Sequence, residues 1–86
     1  MASHKRGEVI KRLARIHGHV HSIMEMIRED RSYPEVAQQI SAVRAALDGV
    51  FQTMIEDLVE DCVKRSRSSE GQHSALQLKE VIARSR

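Results

Sequence analysis

Residues 9–27, VIKRLARIHGHVHSIMEMI, decide the fold. Val9, Leu13, Ile16, Val20, Ile23 and Ile27 recur at intervals of four and three. That spacing is a seam along one face of an amphipathic helix, and no strand alternates this way. The three histidines at 17, 19 and 21 stand on alternate residues, with Gly18 among them. At about 100° per residue, His17 falls at the far edge of the apolar arc and His21 just beyond it. His19 lands on the opposite side, among Lys5, Lys11, Arg12 and Arg15. The three do not form one ligand set. His17 and His21, four apart, are neighbours on one face and able to share a metal. The plainer alternative is a pair of interfacial histidines hydrogen-bonded at a subunit seam.

The pattern repeats downstream. After EDRSYP (29–34), Ser32 stands three residues before Glu35 with Pro34 between them, which predicts a capping box. Val36, Ile40, Val43, Leu47, Val50 and Met54 then carry the same spacing, and Leu58 extends it. KRSRSSEG (64–71) reads as a polar connection. Ala75, Leu78, Val81 and Ile82 mark a short third helix. The expectation is an all-α, three-helix protomer in a single domain of 1–86, with helices at about 5–28, 33–64 and 72–84.

Composition agrees. Apolar residues make up 41% of the 86, but the aromatics are only Tyr33 and Phe51, so any core is aliphatic. A chain of this size with two long helices buries too little to close a core alone. Ala42, Ala45, Ala46 and Gly49 would let another helix approach closely. Self-association follows as an expectation.

The net charge of +2 is mild, but its distribution is uneven. Lys5, Arg6, Lys11, Arg12 and Arg15 face one acid, Glu8, in the first fifteen positions. Lys5, Lys11, Arg12, Arg15 and His19 span about 120° of the first helix. In an oligomer such stripes would merge into a surface for phosphates. EDLVED (56–61) is acidic at a helix C-terminus, where it opposes the macrodipole, so a positive partner is expected there: a neighbouring subunit's Lys or Arg, or a cation. No nucleophile elbow, glycine-rich phosphate loop, HExxH or CxxC occurs, so no enzyme is indicated. Cys62 is the only cysteine, which excludes an intrachain disulfide and fits a reducing cytoplasm. No secretory leader or membrane-spanning run is read.

RIHGHV (15–20) and QISAVRAAL (39–47) resemble two motifs of the CsoR/RcnR family of small bacterial repressors, R-[IL]-x-G-Q-[IVL] and Q-I-[SA]-A-[VI]-R-[GA]-A. The likeness covers about residues 5–65. It implies protomers paired in an antiparallel bundle, dimers joined into a flat homotetramer, and operator DNA binding that an effector weakens. Basic family determinants of DNA binding map to Lys11, Arg12, Arg15 and Arg44. The family has no helix-turn-helix, so backbone charge and DNA shape are expected to carry recognition.

The resemblance also implies a sensing site, and here the chain departs. The copper-type ligands, a cysteine and a His-x-x-x-Cys pair from the other protomer, map to Tyr33, Leu58 and Cys62. One ligand of three remains, which disfavours Cu(I). Nickel and cobalt sensors add a histidine near the N-terminus, and His4 lies in that region. Formaldehyde and persulfide sensors need the thiol that Tyr33 replaces. Three expectations remain for the effector. One is a relocated site that combines His17 and His21 with Cys62 or Asp61 across the dimer seam, for Zn, Ni or Co. The second is oxidant or electrophile chemistry at Cys62. The third is lost sensing, or an unrelated small molecule. A helical interaction module without DNA function is the reading from another class.

Overall fold

A computed structural model describes residues 5–65 and 69–85. Helix α1 runs Arg6–Arg28, α2 runs Tyr33–Lys64 and α3 runs Ser69–Arg84. The third starts three residues ahead of the expected position, with Gly71 inside its first turn rather than in the connection. No strand occurs among the described residues.

The boundary between α1 and α2 is written locally. Backbone N–H groups of Glu29 and Asp30 close the end of α1 on Glu25 and Ile27, and Asp30 takes a positive φ of 59°. Extended Ser32 then opens α2, its Oγ accepting from the Glu35 N–H at 3.4 Å, with Pro34 in the first turn. Three ion pairs flank these helices: Glu25–Arg28, Arg31–Glu35 and, one turn into α1, Glu8–Arg12. All are exposed and contribute little.

α1 and α2 fold back as an antiparallel hairpin, and α3 returns along the far end of α2. The arrangement is one helix thick. Its Cα extents are 57 × 25 × 12 Å and its radius of gyration is 17.1 Å, against about 12 Å for a compact domain of this length.

A single layer buries only the touching edges, and this splits each predicted seam. On α1, Ile16 and Ile23 are buried, with Val9 and Met26 packed against them. Leu13, Val20 and Ile27 remain 41–47% exposed. On α2, Val36, Val43 and Val50 are buried at intervals of seven, while Ile40, Leu47 and Met54 are 40–46% exposed. Every second member of each seam therefore faces out. Ile10 and Met24 extend the outward stripe.

Truncating Ile23 to Ala should cost about 2–5 kcal/mol in denaturant unfolding, because Ile23 is enclosed by the hairpin itself. A loss under about 0.5 kcal/mol would mean that the hairpin core is not what holds these two helices together.

Candidate effector site and nucleic-acid interface

The hairpin has two unlike sides. Arg12 reaches from α1 to α2 so that Nη1 would lie 3.7 Å from a Cβ on Gly49, and Lys5 Nζ meets Glu60 at 3.0 Å and Glu56 at 3.7 Å. These approaches mark the side that also carries Lys11 and Arg15. The opposite side carries Leu13, Val20 and Met24 of α1 and Ile40 and Leu47 of α2.

The predicted basic residues are not equivalent. Lys11 and Arg15 are exposed, and no ion pair ties either to another described residue. Arg12 is held by Glu8 at 3.2 Å. Lys5 is engaged with the acidic end of α2. Its hydrogen bond to Glu60 raises its pKa above the ordinary 10.5, helped by the charges of Glu60, Glu56 and Asp57 against some desolvation. Cations of the same chain, Lys5 at Glu56 and Glu60 and Arg65 at Asp61, thus offset the acidic C-terminus, where a neighbouring subunit or free cation was expected.

His19 differs from expectation as well. It is half-buried, and its Nε2 donates to Gln39 Oε1 at 2.7 Å between the two helices. The helical wheel sets it with the exposed cations. It falls within that arc, between Arg15 and Arg12, and Gln39 supplies the bond that draws it inward. Arg44 is exposed, but lies about 140° round α2 from Gly49. It therefore shares its side with Ile40 and Leu47, away from Lys11 and Arg15.

The effector candidates are spread along the molecule. His17 and His21 are exposed on α1, and neither has a hydrogen-bond partner among the described residues. His17 lies on the outward apolar stripe between Leu13 and Val20. The Arg12–Gly49 and His19–Gln39 approaches put it level with about residues 41–44 of α2. Cys62, a half-buried free thiol, is then about 27–32 Å further along at 1.5 Å per residue. One chain does not bring these groups together. Tyr33, 78% exposed at the start of α2, is about 44 Å from Cys62 along the same helix. His4 lies outside the described residues. Among the described residues, no group of three or more His, Cys, Asp or Glu could hold a metal ion.

Asp61 is already committed. It accepts from Ser74 Oγ, and Arg65 Nε lies 3.1 Å away. Ser74, only 3% exposed, fixes α3 against α2 through this bond. Sequence reasoning missed both Gln39 and Ser74. The signal for Gln39 was its place between Val36 and Val43 on the buried edge. Ser74 gave none, since a serine one residue before the apolar positions of α3 reads as solvated.

The family model for "Metal-sensitive transcriptional repressor" matches residues 5–84. The copper-sensing transcriptional repressor CsoR of Bacillus subtilis is 33% identical over 82 residues, covering 94% of this chain and 81% of the relative. The copper-sensing transcriptional repressor RicR of Mycobacterium tuberculosis is 37% identical over 73 residues, covering 85% and 76%. Among solved structures, the nickel-responsive transcriptional regulator InrS superposes with a TM-score of 0.80 at 32% identity, over 98% of this chain and 96% of that one.

Replacing Ser74 by Ala should loosen α3 by about 1–2 kcal/mol, since a charge-assisted bond is removed from a buried position. Amide exchange should quicken in α3 and leave the α1–α2 seam unchanged. Unchanged exchange in α3 would show that apolar packing alone docks it. The sequence motifs, the family match over nearly the whole chain and the shared three-helix fold together make this chain a member of the metal-sensitive transcriptional repressor family.

Proposed function

We propose that the chain is an operator-binding repressor, released by a metal effector and working as a symmetric oligomer in the cytoplasm. One observation carries this reading. Lys11 and Arg15, exposed and without an ion pair among the described residues, lie on the side of the hairpin away from the unburied apolar residues Leu13, Val20, Met24, Ile40 and Leu47.

A second copy laid on the apolar side would enclose Leu13, Val20, Met24, Ile40 and Leu47 and convert two thin hairpins into a four-helix bundle. The cations would then face outward from both copies. A second exposed apolar group offers a surface for joining two such dimers: Val59 and Val63 at the end of α2, Leu76 and Ile82 on α3. A dimer of dimers is the assembly this supports. Arg44, on the apolar side, would stand at the seam between copies.

Lys11 and Arg15 are the phosphate-binding residues we assign, with Arg12 joining them at the small cost of an exposed pair. Lys5 and His19 support the hairpin instead. Binding of this kind draws its affinity from counterion release and reads duplex shape. No described helix is long and apolar enough to cross a membrane. The chain is a binding protein rather than an enzyme.

For the effector, imidazole nitrogens outnumber thiols, which favours Zn, Ni or Co. The relatives described as copper-sensing keep copper among the ions to titrate.

Against DNA from upstream of its own reading frame, Arg15→Ala should weaken binding across sequences. It should also flatten the salt dependence, by roughly 0.9 in log–log slope for each phosphate left without its cation. Unaltered affinity and slope would remove Arg15 from the interface. No binding by the wild type at low salt would favour the interaction-module reading.

Leu47→Glu places a charge on the outward apolar stripe without touching the hairpin core. Sedimentation should show a shift to monomer with the helix content retained. An unchanged mass would place the subunit interface elsewhere.

A further inference from the structure

We propose that His17 and His21 alone form a chelating site for a borderline divalent transition metal, independent of Cys62. The class includes nickel, zinc, cobalt and copper(II).

Four residues apart on a regular helix, the two side chains are neighbours on one ridge, with Cβ atoms about 5–6 Å apart. That separation lets two imidazoles converge on one ion, and their nitrogens suit ions of this class. Both histidines are exposed and unpartnered among the described residues. The other described histidines are engaged: His19 with Gln39 and His73 with Gln77. The next group along the ridge, Glu25, is held by Arg28. The site is therefore two free nitrogens on a rigid element, well inside α1 rather than at a fraying end.

Among the described residues, no third ligand stands nearby. Water or a second copy completes the coordination, and a two-imidazole site of this kind exchanges its ion readily, as a sensor requires. Its position gives it an effect. His17 interrupts the outward apolar stripe and His21 borders it, so an occupied site lies at the rim of the surface where a second copy docks. Only this last step rests on the repressor reading.

The test uses the untagged full-length chain and metal chlorides alone, without DNA, by isothermal titration and by proton NMR of the imidazole Cε1–H signals. Affinity should rise from cobalt to nickel to copper(II) and fall again at zinc, with no binding of magnesium or calcium. Nickel should broaden the His17 and His21 signals first. Both effects should vanish in His17→Ala and in His21→Ala, with helix content checked by circular dichroism. Both should persist in Cys62→Ser and His19→Gln. Binding that survives the double His17→Ala, His21→Ala substitution overturns the proposal, as does binding abolished by Cys62→Ser. Operator binding by the metal-free wild type is scored separately. A chain that chelates through these histidines and ignores DNA sinks the repressor reading alone. One that binds DNA without metal at the pair sinks only this proposal.

Discussion

The structure depends on a geometric limit: two helices in one layer touch along one edge each. An apolar seam spaced four and three is wider than that edge. The hairpin consequently buries Ile16 and Ile23 against Val36, Val43 and Val50 and leaves the alternate members outside. Five buried aliphatic residues among the described residues make a thin core, since burial at this size is already marginal. The outward stripe therefore acts as unfinished core. If a second copy closes it, as proposed above, an aliphatic, nearly aromatic-free composition suffices, because such a bundle needs interlocking branched side chains more than bulk.

The polar residues are arranged around the same limit. Where the touching edge meets solvent, the chain uses side chains long enough to reach across. Arg12 crosses to Gly49, Lys5 to Glu60, and His19 to Gln39. These three form a row on one side of the hairpin, and each is thereby drawn from the cationic strip toward structure. What remains outward there, and unpaired among the described residues, is Lys11 and Arg15. The acidic end of α2, unfavourable for its own helix dipole, becomes intelligible as the anchor for Lys5 at the start of α1.

Much of the fold was legible in the sequence. The heptad-like spacing indicated two long helices, and Ser32, Pro34 and Glu35 located the start of the second to the residue, because capping is local chemistry. The start of the third was less legible: a polar, serine-rich stretch with a glycine carries no periodicity. The seam was read correctly as a set of residues but could not be divided into inner and outer members. Both halves have the same period, and only the position of the second helix distinguishes them. The site was less legible again. A wheel knows one helix, so it set His19 and Lys5 among free cations. The position of α2 decides both, because Gln39 and Glu60 engage them.

Helix geometry also constrains how a metal could influence DNA. His17 and Arg15 are two residues apart, hence about 160° apart round α1. An ion at His17 and a phosphate at Arg15 would be separated by the thickness of a helix, about 10–12 Å with side chains. That exceeds the Debye length of about 8 Å at physiological salt, so direct repulsion between the ion's charge and the strip is largely screened. In any case, an added positive charge would favour DNA rather than release it. Release must therefore come through shape: a rotation of α1 about its own axis, or a changed angle between hairpins, that moves Lys11 and Arg15 out of register with the phosphates. The coupling required is modest, about 1–3 kcal/mol. A core only one edge deep lets such a rotation disturb little packing within the chain, and in the proposed dimer it would fall mostly on the packing between chains.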